Sequence, residues 1–138
     1  MRSPLFLGLL LLAGASTIGG VRADPVTVEA VIATDKTVLG QPLALPQREA
    51  KVIVTILEIA PGARLPRHMH PFQRYAYILA GELTVEFDGG QQFHYRAGDF
   101  IVEAVDRWHF GANTGQVPVR ILVIDQVEDS QSNTILAK

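Results

Sequence analysis

Between residues 51 and 126, turn-forming residues break the chain too often for a long helix. The breaks are Pro61-Gly62, Ala80-Gly81, Asp88-Gly89-Gly90, Ala97-Gly98-Asp99 and Asn113-Thr114-Gly115. Glycine reaches positive φ freely, and Asn and Asp bond their own backbone, so each cluster marks a reversal of the chain. The stretches between them are short and rich in β-branched and aromatic residues. They predict strands at Lys51–Ile59, Tyr75–Leu79, Leu83–Phe87, Gln92–Tyr95, Phe100–Ala104, Trp108–Ala112 and Val119–Gln126, with a further strand at Val26–Ala33. Short strands at this spacing imply an all-β sandwich or barrel. Asp88-Gly89-Gly90 between two such runs is a hairpin signal. Leu39–Glu49, with Pro42 and Pro46, reads as an irregular arm. The polar tail Glu128–Lys138 is expected to wrap an edge or to be loosely held.

The start of the chain has a different composition. A basic Met1-Arg2 precedes an apolar, leucine-rich run from Leu5 to Ala15, and Val21-Arg22-Ala23 offers small residues at signal-peptidase spacing. Residues 1–23 therefore read as a secretory signal peptide, with residues 24–138 as one exported domain, periplasmic or secreted. The alternative is an uncleaved anchor, but the apolar run is shorter than the ~20 residues of a spanning helix, so no stable membrane span is expected after cleavage. Cleavage would leave ten basic against fourteen acidic residues, a net charge of about −4, with no basic patch to suggest nucleic acid. There is no cysteine. Stability in an oxidising compartment would then rest on packing, a metal or association, and thiolate chemistry is excluded.

His68-Met69-His70 carries the chemistry. On an extended segment, residues i and i+2 share a side, so both imidazoles can face one point. His109 could supply a third nitrogen. Three neutral imidazoles suit a divalent transition metal such as Fe, Mn, Ni, Cu or Zn without selecting among them. A polar pocket lined by three histidines without metal is the plainer alternative. His94, in Gln92-Phe-His-Tyr95, matches no ligand position and reads as an exposed strand residue.

These landmarks resemble the cupin superfamily, in particular its small single-domain members. The first cupin motif is matched by Gly62, His68, His70 and Gly81 at their expected spacing, but Arg74 stands where the family usually has glutamate. The second is matched by Gly90, Gly98, His109 and Asn113, with Arg96 in place of proline. The resemblance covers about residues 50–126. It implies a double-stranded β-helix, a jelly-roll barrel with a cavity open at one end. It also implies that His68, His70 and His109 project into that cavity as ligands. Relatives include dioxygenases, isomerases, decarboxylases and oxalate-degrading enzymes, so the fold alone does not name a reaction. Cupins commonly pair through sheet edges and exchanged terminal strands, which implies a homodimer.

Arg74 leaves the fourth ligand open. A guanidinium cannot ligate and would be repelled by a nearby dication. Arg74 can turn away to pair with an acid on the surface, hold a carboxylate or phosphate ligand, or mark a site without metal. Gln73 or Glu103 could complete the coordination. Glu103 is the one polar residue in Phe100-Ile-Val-Glu-Ala-Val105. Its plainer reading is a surface residue on an edge strand. The other reading places it inside, beside Arg74 or the histidines. Tyr75 and Tyr77 share a face and, with Arg74, are candidate ligand-binding residues. Two functions follow. The first is a small exported metalloprotein, dioxygenase-like, acting on a small molecule. The second is a non-catalytic module binding a small anion or sugar, with Arg74 as the anion's partner.

Overall fold

The computed structural model describes residues 26–138; the expected leader at 1–23 lies outside them. Strands are labelled β1 (Lys51–Ile59), β2 (His68–Met69), β3 (Arg74–Ala80), β4 (Glu82–Phe87), β5 (Gln92–Arg96), β6 (Phe100–Val102), β7 (His109–Ala112), β8 (Val119–Val127) and β9 (Ile135–Leu136). They form two antiparallel sheets, one in the order β1-β8-β3-β6 and the other β5-β4-β7-β2-β9. This is the all-β architecture the turn spacing predicts and the jelly roll the cupin resemblance implies. Among the described residues no helix is long and apolar enough to cross a membrane.

Alternation builds the interior. β1 and β8 pair without a break from Lys51↔Val127 to Ile59↔Val119. On β8 the buried positions are Val119, Ile121, Val123, Asp125 and Val127, every second residue. Ala76 and Ile78 of β3, Leu83 of β4, Ile101 of β6 and Ile59 of β1 meet the first three of these in one core. Burial of each large aliphatic side chain contributes roughly 1.5–3 kcal/mol. Gly81 closes the β3–β4 corner at φ +78°, and a Cβ there would lie 2.6 Å from the Pro118 carbonyl oxygen, so no other residue fits.

The Asp88-Gly89-Gly90 hairpin forms as expected, with β4 and β5 paired from Glu82↔Arg96 to Glu86↔Gln92. Asn113 is a turn stabiliser: its Nδ2 donates to the carbonyls of Ile59 and Val117, and its Oδ1 accepts from the Gly115 amide. Two expectations need correction. Val26–Ala33 forms no strand, and its valines stay exposed, Val28 at 93%. A strand needs an edge to pair with, and this segment finds none within the single chain. The run expected at Phe100–Ala104 stops pairing at Val102. The tail takes the first of its two expected forms and wraps an edge, because Ile135 and Leu136 add a strand beside β2.

Candidate metal centre

His68 on β2 stands directly opposite His109 on β7, and His70 follows just beyond β2. All three are buried, and each offers a ring nitrogen within 4.8 Å of the others. Ring centroids lie 4.5–5.0 Å apart.

The Nδ1 atoms fix how the rings face. His68 Nδ1 lies 2.7 Å from the Pro66 carbonyl, His70 Nδ1 2.5 Å from that of Asn133, and His109 Nδ1 2.8 Å from that of Arg107. A carbonyl only accepts, so each Nδ1 carries the proton, and in the neutral ring each Nε2 presents a lone pair. Glu103 faces the same point. Its Oε2 lies 3.1 Å from His70 Nε2 and 3.5 Å from His109 Nε2. The plainer surface reading of Glu103 is thus overturned. The backbone leaves β6 one residue earlier and is held by Glu103 N donating to the Arg74 carbonyl, which turns the carboxylate inward.

Facing lone pairs repel unless a cation or protons lie between them. Burial raises the carboxyl pKa of Glu103, but hydrogen bonds accepted from His109 and His70 when Nε2 carries a proton, together with the charges of His70 and Arg74, outweigh it and hold the group well below the usual range. Burial, and then repulsion from the other two imidazoles, pushes His68 down to about 4 against a hydrogen bond to Pro66 that raises it. A neutral His68 at ordinary pH is the form that ligates. Three imidazole nitrogens within 4.8 Å of one another are a donor set that fits a divalent transition ion.

Arg74 does turn to an acid, though inside the barrel rather than on its surface. β3 and β8 pair Arg74 with Asp125. Its Nε donates to Asp125 Oδ1 at 2.7 Å and Nη2 to Oδ2 at 3.0 Å, a bidentate contact that balances the guanidinium charge. Nη1 remains 3.4 Å from His70 Nε2. Gln73 Nε2 donates to the carbonyls of Glu103 and Arg74, tying the Glu103 segment to the start of β3, while its Oε1 is buried without a hydrogen-bond partner. Tyr75 and Tyr77 are not brought to the cavity. Alternation along β3 sends Arg74 and Ala76 inward, so the tyrosines lie on the outer face, where Tyr75 donates its hydroxyl to Gln126. His94 is exposed and bonded to Thr84, as expected. Arg67 is engaged by Asp88 and lies over Trp108.

Behind the donors lies a cavity of about 40 Å³, lined by Leu57, Leu83, Val85, Ile121 and Val123 besides the polar groups. A mouth of about 180 Å³ adjoins it, bounded by Leu65, Pro66, Arg74, Thr134 and Leu136. Two residues of the site, Asp125 and Asn133, escape sequence reading. Asp125 carries a signal, as the one charge at an inward position when β8 is counted by twos from Val119. Asn133 carries none, because the tail has no period.

A jelly roll with a buried cluster of three histidines able to bind a metal is the class of protein defined here. The comparisons agree with it: the cupin domain family matches residues 55–125, over half of the 138-residue chain, and the chain belongs to that family. Among curated proteins it is 34% identical over 67 residues to the tetracenomycin polyketide synthase protein TcmJ of Streptomyces glaucescens, covering 48% of this chain and 44% of that one. It is 32% identical over 63 residues to the polyketide synthase CurC of Streptomyces cyaneus, covering 45% and 40%. The matches thus span less than half the length of these relatives. Among solved structures, the DMSP lyase DddQ of Ruegeria pomeroyi superposes with a TM-score of 0.54 at 23% identity, over 62% of this chain and 43% of that one. The polyketide cyclase RemF of Streptomyces resistomycificus does so at 0.54 and 19%, over 67% and 65%. These likenesses show the shared fold.

Proposed function

We propose that this cupin holds one divalent transition ion through Nε2 of His68, His70 and His109 and through the Glu103 carboxylate, and acts on a small molecule in a dioxygenase-like reaction. The observation that carries the reading is the cluster of three buried imidazoles, with ring nitrogens within 4.8 Å of one another, each oriented from behind by a carbonyl, and the Glu103 carboxylate 3.1 Å from His70 and 3.5 Å from His109. The carboxylate absent from position 74 is supplied by position 103, so the site is a four-donor one and not a bare three-histidine centre. A redox-active ion held there would supply electron transfer to oxygen, and a redox-inert one would supply polarisation of a substrate oxygen.

The chain's own residues set the conditions. Leu57, Leu83, Val85, Ile121 and Val123 keep the inner cavity apolar and limit it to a group of a few atoms. Any larger part of a substrate must lie in the mouth, against Leu65, Pro66 and Leu136. Asp125 balances Arg74, and the free Nη1 is left as a donor facing the donor cluster. The anion-binding alternative loses support from the same contact, because Asp125 already occupies the guanidinium fork and Glu103 adds negative charge. Export rests on the leader and predicts a mature N-terminus at Asp24. A homodimer is supported by the exposed Val52, Val54 and Ile56 along the edge strand β1.

Metal analysis of the purified protein after reconstitution tests the reading. About one ion per chain is expected, with loss in His70→Ala and at least roughly tenfold weaker binding in Glu103→Gln. Clearly substoichiometric metal in the wild type would overturn it.

A further inference from the structure

Two of the three histidines are oriented locally, and the third is not. His68 and His109 each bond a carbonyl two residues earlier in their own loop. His70 instead bonds the carbonyl of Asn133, 63 residues away in the C-terminal tail. That tail is tied to the site at several points. Asn133, itself buried, accepts from the Phe72 amide through Oδ1 and donates to Asp125 Oδ1 through Nδ2. Thr134 Oγ1 accepts from Arg74 Nη2 at 3.2 Å. Ile135 and Leu136 pair with Met69 and His68, and the Ala137 amide donates to the Arg67 carbonyl.

Building on the metal reading above, we propose that the tail segment 133–137 is a strap that completes the metal centre. Asn133 is its positioning residue, and docking of the strap and binding of the ion reinforce each other. The Asn133 carbonyl fixes the proton on His70 Nδ1 and so aims Nε2 at the other donors. Through Asp125 and Thr134 the same segment anchors the Arg74 fork, whose Nη1 lies 3.4 Å from His70 Nε2. Undocking therefore frees a ligand and loosens a neighbouring cation in one motion. Apolar burial adds little to these polar ties: β9 has two residues, and Ile135 and Leu136 are both exposed. A segment with so few buried apolar contacts opens at far lower cost than the barrel. Whatever the docked strap adds to ion affinity, the ion must return to strap docking by the same factor. Because Thr134 and Leu136 also border the mouth, opening the strap widens the route by which an ion or small ligand reaches the cavity.

The test uses the full chain with Zn²⁺ alone as the probe. Hydrogen exchange is read at the amides of Thr134–Ala137 with and without the ion, alongside amides of the β1–β8 ladder. Affinity is measured by chelator competition for the wild type, Asn133→Ala and a chain ending at Ser130. Imidazole ¹⁵N shifts report the His70 tautomer. The expected results are exchange at the strap slowed roughly tenfold or more by Zn²⁺, affinity lowered by a similar factor in both variants, and a His70 resonance that leaves the Nδ1–H form in the chain ending at Ser130, which lacks the Asn133 backbone carbonyl, while His68 and His109 hold theirs. If the shortened chain does not fold, the exchange measurement on the wild type and the Asn133→Ala titration still decide. Stoichiometric Zn²⁺ binding with unchanged strap exchange, affinity and tautomer would overturn the strap proposal alone. Failure of the wild type to bind Zn²⁺ would overturn it together with the metal reading.

Discussion

The closed end of the barrel and its mouth are built on the same strands by opposite chemistry. Along β3 the inward positions run Arg74, Ala76, Ile78, and along β8 they run Asp125, Val123, Ile121, Val119. At the closed end each inward position adds apolar burial. At the mouth the same pleat holds a guanidinium, two carboxylates, three imidazoles and the Asn133 amide. Every group there costs desolvation energy that only its partners offset. The mouth is thus stable as a network, while the base is stable residue by residue, and the packed base supports the strain-prone end.

The largest separation of the two regions should come from Asp125→Ala. It leaves the half-buried Arg74 without its carboxylate partner, which should cost up to about 3–5 kcal/mol in urea unfolding and also weaken metal binding. Replacing the pair together, Arg74→Met with Asp125→Leu, should recover most of that stability, as expected of a network and not of a sum of contacts. At the base, Ile78→Ala should cost about 2–5 kcal/mol through the cavity it leaves, yet metal affinity should stay within a factor of about two. A large loss of affinity in Ile78→Ala would show that the two ends are not independent.

A smaller effect is expected from pH in the metal-free protein. His68 stays neutral in the fold down to about pH 4, whereas the unfolded chain takes up that proton near 6.5. The unfolded state binds more protons in between, so stability should fall as the pH drops from about 6.5 to about 4. Glu103 acts lower. Its depressed carboxyl contributes fully above the ordinary carboxylate pKa, and that contribution is lost only as the pH falls towards its lower folded value. Denaturation midpoints for His68→Gln should be flatter across the upper window and unchanged in the lower one. Equal slopes for wild type and variant would remove His68 as the cause.

The base was legible from sequence because its rules are local. Alternation marks Val119–Gln126 as a strand, the turn residues mark its neighbours, and the glycine at Gly81 meets a steric need. The histidine triad was legible for a different reason, since its spacing carries a family resemblance. The rest of the mouth depends on register. Arg74 and Asp125 are 51 positions apart and meet only because β3 and β8 align as they do. Glu103 looked like a surface charge because the run that carries it seemed to continue as a strand. It turns inward where pairing stops at Val102. Tyr75 and Tyr77 share a face, as alternation predicts, but the pleat sends that face outward while Arg74 and Ala76 face in. Asn133 lies in a polar tail without period, where no pattern announces a partner.

The central claim is that Glu103 stands in for the carboxylate that Arg74 displaces. Anomalous diffraction at the absorption edge of the reconstituted metal tests it most directly. The account predicts one peak shared by Nε2 of His68, His70 and His109 and by the Glu103 carboxylate, with Arg74 still bonded to Asp125. A peak held by the three histidines with Glu103 turned away, or no peak at the cluster, would contradict it.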